Sequence, residues 1–196
     1  MKILFALLSY LFGAIPTGYI FYFLSEKKDI RISGSKATGA TNVLRLKGWK
    51  YGLPVLILDI FKGFLPVFLA FKLFPDKNFA LMCAFLTITG HCFPVYIKFK
   101  GGKGVATTIG VYAAVAFKPL LCIVIIFLLV AAVTRYISLG SLLAALSFPF
   151  FVILFKGNIE IVYLSFAVFL LILAKHQSNI RRLIKGNESK LGEKIN

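Results

Sequence analysis

Long apolar runs separated by short polar loops set the rhythm of this chain. Apolar residues dominate 3–24, 52–74, 79–97, 104–117, 119–134, 137–155 and 158–175. A membrane-crossing helix needs roughly 20 mainly apolar residues. The pattern therefore predicts an all-α integral membrane protein with seven transmembrane helices. The fourth run is short and would reach only about 21 Å at ~1.5 Å per residue. Lys118-Pro119 separates it from the fifth. A start inside the membrane, with residues 101–103 as a dipping loop, would accommodate it. Irregular backbone at that depth needs a protected or watery cavity. Only Met1 and Lys2 precede the first run, and no small-residue cleavage site follows it. It reads as a retained span rather than a signal peptide. Without a long linker, a repeat or a low-complexity tract, the expected organisation is one membrane-embedded domain over 1–196.

Composition strengthens this reading. The chain is 59% hydrophobic with a mean hydropathy of +0.88, where a soluble domain is nearer ~45–50% apolar. The net charge is +16, from 23 Lys and Arg against 7 Asp and Glu. Such a balance can mark nucleic-acid binding, but here the basic residues sit in loops between apolar runs. With seven spans, 17 of them fall on one side and 5 on the other, with Lys62 inside a span. Basic loops stay cytoplasmic, so the N-terminus is expected outside and the C-terminus in the cytoplasm. The pattern calls for no nucleic acid. Cys83, Cys92 and Cys122 lie in or beside apolar runs, without metal-ligand spacing. Neither a metal nor another cofactor is expected.

The candidate chemistry collects on the more basic side. Gly90-His91-Cys92-Phe93-Pro94 runs into Phe99-Lys100-Gly101-Gly102-Lys103-Gly104-Val105-Ala106-Thr107. Glycines let backbone N–H groups approach a ligand, and a helix start behind them favours an anion. Lys103 adds a full charge. This is not a Walker loop: Ile97 stands where its first glycine belongs, and Gly104 replaces its Ser or Thr. An ordinary turn at a membrane surface would also explain the glycines. Gly34-Ser35 through Gly39-Ala40-Thr41-Asn42, with Arg45, gathers hydroxyls, an amide and a guanidinium suited to phosphate; the alternative is a polar loop with a helix cap at Thr41 or Asn42. Asp59 and Lys62, at i, i+3, are expected to pair on one helix face, either as a self-neutralising pair or as a functional one. Ser138 and Ser141 open the sixth span, where small residues also serve close packing. His176 and Asn179, one helical turn apart, lie in a basic tail suited equally to anionic lipid.

Together these motifs resemble the bacterial glycerol-3-phosphate acyltransferases that use acyl phosphate as donor. The resemblance runs over essentially the whole chain and includes Gly186-Asn187-Glu188 after His176 and Asn179-Ile180. It departs from the family pattern at Lys36 and Ala37, where glycine and asparagine are expected. It implies seven spans, an outside N-terminus and an active site at the cytoplasmic face of the bacterial inner membrane. It also implies acyl transfer from acyl phosphate to the 1-hydroxyl of sn-glycerol 3-phosphate, giving lysophosphatidic acid and phosphate, the committed step of bacterial phospholipid synthesis. Lys103, His176 and Asn179 are the implied catalytic residues. Ser35, Thr41, Asn42, Arg45, His91, Gly101, Gly102 and Ser141 are the implied substrate contacts. The partners are the two substrates, the bilayer and, transiently, an enzyme that makes acyl phosphate. The His-x4-Asp pair of the soluble-type acyltransferases is absent: five positions past His91 stands Tyr96, and five past His176 stands Arg181. A small transporter for an organic phosphate, or an accessory subunit without chemistry, are the rival readings; the first is disfavoured by the scarcity of polar residues in the spans.

Overall fold

The structure is a computed structural model that describes residues 1–193. Lys194, counted above with the basic tail, lies outside them. Every regular element among the described residues is helical: α1 (Lys2–Gly13), α2 (Thr17–Glu26), α3 (Ala40–Lys47), α4 (Trp49–Leu73), α5 (Lys77–Cys92), α6 (Val105–Val115), α7 (Phe117–Thr134), α8 (Ile137–Leu154), α9 (Ile159–Lys175) and α10 (Gln177–Ile184), with short 3-10 turns at Ile30–Ile32 and Val95–Ile97.

Among the described residues, five stretches are long and apolar enough to cross a membrane: Lys2–Glu26, Trp49–Leu73, Lys77–Ile97, Phe117–Thr134 and Ile137–Leu154. Ile159–Lys175 with Gln177–Ile184, bent by 64°, makes a sixth when the pair is counted as one span. The fourth predicted span is α6, whose 11 residues cover only about 16 Å. The helix boundary also differs. It falls at Ala116, and Pro119 sits inside the first turn of α7, where backbone N–H groups have no intrahelical partner to lose.

The first span is broken rather than continuous. Gly13 ends α1, and the chain restarts at Thr17 after Ala14-Ile15-Pro16. A break inside an apolar stretch exposes a carbonyl, and here Lys62 Nζ donates to the Ile15 carbonyl at 2.7 Å. A partner 47 residues away thus offsets what the local pattern alone would forbid.

The chain forms two compact units, Met1–Ala114 and Val115–Glu193. In the first, α1 and α4 pack on α5, while α2 and α3 pack on α4. Phe5, Phe74 and Phe79 meet edge to face at one end, with Phe74 and Phe79 centroids 4.7 Å apart. Tyr22, Ile30, Val43 and Val55 form a second apolar cluster under the first loop. Backbones touch between α4 and α6: a Cβ at Gly63 would strike the Thr107 carbonyl, and one at Gly110 the Ile60 carbonyl. Small residues give membrane helices this kind of contact, and it fixes the start of α6. In the second unit α8 packs between α7 and α9, and α10 touches α8 and α9. Leu128, Leu129 and Val133 on α7 are mostly exposed. A stripe of that kind belongs against lipid tails.

Candidate active site

The central loop is held from behind by His91. The imidazole is buried at the end of α5. Its backbone carbonyl accepts the Gly102 N–H at 3.1 Å. A Cβ at Gly102 would fall on the imidazole Nε2, and one at Gly101 on the His91 carbonyl and Pro94. Glycine is therefore required at both positions by close packing. The Gly102 amide, expected to face a phosphate, is engaged with the protein instead. Lys98 and Phe99, just upstream, have φ of 58° and 59°, a region that costs non-glycine residues about 1–2 kcal/mol each. Lys103 follows Gly102 and is half-buried; Thr107 and Thr108 in the first turn of α6 are buried.

Asp59 and Lys62 form the expected ion pair at 2.7 Å, and both are buried. The pair does more than neutralise itself. Thr17, at the start of α2, donates its hydroxyl to Asp59 Oδ1, and Lys62 holds Ile15 as described. The His91 Nδ1 stands 3.6 Å from the same Oδ1.

In the first loop Asn42 is an organiser. Its Oδ1 accepts the Ser35 N–H at 2.8 Å, and its Nδ2 donates to the Ala37 and Ser33 carbonyls at 2.9 and 3.2 Å. With 1% of its surface exposed, the Asn42 side chain is engaged with the loop's own backbone. The cap of α3 is Gly39, neither Thr41 nor Asn42. Thr41 lies half-buried in the first turn, and Arg45 is half-buried one turn further on. Arg31 was not singled out by the sequence motifs, yet it ties this loop to the central one. It pairs with Asp29 at 2.6 Å and donates from Nη1 to the Ile97 carbonyl at 2.8 Å. The Arg31 guanidinium holds the Asp29 carboxyl below its ordinary value.

The second unit carries Ser141, His176 and Asn179. Ser141 donates to the Ile137 carbonyl at 2.8 Å, which leaves its oxygen only as an acceptor. His176 sits at the bend between α9 and α10 with 1% exposure. Its Nδ1–H donates to the Ile172 carbonyl at 2.8 Å. In the neutral ring the lone pair is then on Nε2. Asn179 Nδ2 donates to Glu188 Oε1 at 2.6 Å, while its buried Oδ1 has no hydrogen-bond partner among the described residues. Glu188 is the hub that the motifs contained without a role. It also accepts from Ser138 at 2.8 Å and from Arg182 at 2.7 Å. Burial alone would push its carboxyl up. The hydrogen bonds from Asn179, Ser138 and Arg182, with the Arg182 charge, outweigh that and hold it below the ordinary value. The signal for its role was present: a carboxylate in a basic tail, nine residues from an asparagine.

The helices and their polar groups define a class: a multi-pass integral membrane protein with Lys, Arg, His, amide and hydroxyl groups gathered in its loops and helix ends. The chain belongs to the glycerol-3-phosphate acyltransferase family, whose model matches residues 3–186. A glycerol-3-phosphate acyltransferase of Endomicrobium trichonymphae is 42% identical over 191 residues, covering 97% of this chain and 96% of the relative. One from Maridesulfovibrio salexigens is 41% identical over 181 residues, covering 92% of each. A crystal structure of PlsY (YgiH), an integral membrane glycerol 3-phosphate acyltransferase in its glycerol 3-phosphate form, superposes with a TM-score of 0.93 at 35% identity, covering 97% of this chain and 96% of that one. A second, described as the lysphosphatidic acid form, gives 0.90 at the same identity, with 97% and 95% covered.

Proposed function

We propose that this chain transfers a fatty acyl group from acyl phosphate to the 1-hydroxyl of sn-glycerol 3-phosphate. The observation that carries the reading is the family match over residues 3–186, reinforced by likeness along nearly the full chain to a structure described with glycerol 3-phosphate. The glycerol oxygen attacks the acyl carbonyl, the bond to the phosphate oxygen breaks, and lysophosphatidic acid and phosphate leave. The hydroxyl proton goes to a phosphate oxygen of a substrate or to His176 Nε2, the nitrogen that the Ile172 contact keeps as an acceptor. Acyl phosphate is already activated, so positioning and charge stabilisation supply most of the rate.

Lys103, Arg45, Ser35, Ser141, His176 and Asn179 bind glycerol 3-phosphate. The Gly101 and Lys103 amides and the Thr41 turn face the acyl phosphate. His91, Gly102 and Asn42 serve by shaping these loops. The whole chain acts as one membrane-embedded domain of seven spans, with the N-terminus outside and the active face toward the cytoplasm of a bacterial inner membrane. There it performs the committed step of phospholipid synthesis, in transient contact with an enzyme that makes acyl phosphate.

The test is direct. Detergent-purified protein is given palmitoyl phosphate and glycerol 3-phosphate and scored for lysophosphatidic acid. Product is expected with palmitoyl phosphate and not with palmitoyl-CoA or palmitoyl acyl carrier protein. Product from a thioester alone would overturn the donor assignment, and no product from any donor would overturn the function.

A further inference from the structure

The Asp59–Lys62 pair reaches further than charge neutralisation requires. Asp59 and Lys62 belong to α4 and are 0% and 3% exposed. Two carbonyl or hydroxyl partners would suffice to settle them. Instead Asp59 Oδ1 also faces His91 of α5, with Nδ1 at 3.6 Å. His91 in turn meets the central loop twice. Its carbonyl accepts the Gly102 N–H at 3.1 Å, and its ring fills the space where any Cβ at residue 102 would stand. Gly102 is bonded directly to Lys103.

The loop does not hold this shape unaided. Lys98 and Phe99 take left-handed backbone angles in succession, which L residues adopt only when their surroundings enforce it. The Pro94 carbonyl accepts the Phe99 N–H at 2.9 Å, and three residues on the His91 carbonyl holds Gly102; Asp59 is the buried charge beside His91.

We propose that Asp59 is a positioning residue for acyl transfer: through His91 it fixes Gly102 and thereby sets where Lys103 meets the phosphate of glycerol 3-phosphate. This rests on the reading of Lys103 given above. Asp59 touches no substrate. Its carboxylate orients the imidazole, the imidazole backs the glycine, and the glycine places the ammonium.

Two variants test this against a purely structural ion pair. Asp59→Asn/Lys62→Gln removes both charges at once, so neither is left buried and unpaired, and keeps an N–H donor for the Ile15 carbonyl. A pair that only neutralises itself is dispensable in that form. His91→Asn leaves the ion pair in place and keeps an N–H near the Nδ1 position, but withdraws the ring from Gly102. Both variants are purified in detergent, checked by gel filtration and thermal unfolding, and assayed with palmitoyl phosphate at varied glycerol 3-phosphate. For each, the KM for glycerol 3-phosphate is expected to rise about tenfold while kcat falls less, the signature of a displaced binding group. Combining all three substitutions is expected to add little, because they act along one line of contacts. A wild-type KM in the folded double variant, or in His91→Asn should the double variant not fold, would overturn the proposal. So would effects that multiply in the combination. Wild-type protein that makes no lysophosphatidic acid would instead remove the underlying functional reading, and is seen before any variant is made.

Discussion

Glu188 shows how one side chain can hold a site it does not itself form. Asn179, Ser138 and Arg182 all donate to it, so the Asn179 amide is fixed with its Oδ1 still open. The carboxyl is held below its ordinary value of 4.5. A folded-state value below the unfolded one stabilises the fold fully above about pH 4.5, and that contribution is lost as pH falls through the depressed value. Hydrogen exchange in α10 should therefore speed up as the pH falls below that ordinary value and through the depressed one, after correction for the intrinsic rate. In Glu188→Gln the amides should exchange fast at all pH values, and turnover should fall at least about tenfold, since hydrogen bonds to a charged acceptor are worth about 1.5–3 kcal/mol each. Lys103 is a different case. Lys103→Ala should lower kcat/KM by about a thousandfold or more while the protein still inserts and elutes as the folded species; near-normal activity would remove the central assignment. The motifs were legible as loops and helix ends rich in glycine, hydroxyl, amide and basic groups. What could not be read was division of labour: Asn42 and Gly102 stand inside the motifs but serve the fold, because their partners are brought to them only by packing.

At the scale of elements, the first loop explains the departure from the family pattern. Lys36 stands where the resemblance expects glycine, and its φ is 59°. The left-handed conformation that favours glycine is thus taken here by a lysine. Lys36→Gly should accordingly be neutral or stabilising by up to about 1 kcal/mol, the left-handed penalty being offset by glycine's extra chain entropy. Gly34, two residues earlier, has φ 58°, and a Cβ there would strike Asn42 Oδ1. Gly34→Ala should therefore cost more than about 1–2 kcal/mol and disturb the Ser35 contact. Thermal unfolding in detergent, with the two variants side by side, reads both signs. Helices were legible wherever an apolar run was long. The break at Ala14-Ile15-Pro16 was not, because Lys62 satisfies it from another helix. Nor was the true start of α7, because Pro119 looks like a boundary and is in fact tolerated within the first turn.

For the whole molecule, α6 decides the number of crossings. Six stretches are long enough to cross or nearly so once the bent α9–α10 pair is included. With α6 the total is odd and the two ends lie on opposite faces. Without it the total is even, and both ends share one face. The charge distribution argues for the odd number, because only then do the loops carrying Lys36, Lys100 and Lys185 fall on one side and Lys77, Lys118 and Lys156 on the other. At about 16 Å, α6 needs residues before Val105 to complete the passage, and those are the glycines packed against His91. Lys118, exposed at the start of α7, is the position that discriminates. In a background with Cys83, Cys92 and Cys122 replaced by serine or alanine, single cysteines at 77, 118 and 156 should react with an impermeant maleimide in intact cells. Those at 36, 100 and 185 should react only in inverted vesicles. Reaction of Lys118→Cys from the inner side alone would show that α6 does not cross, and would bring the N-terminus to the same face as the tail.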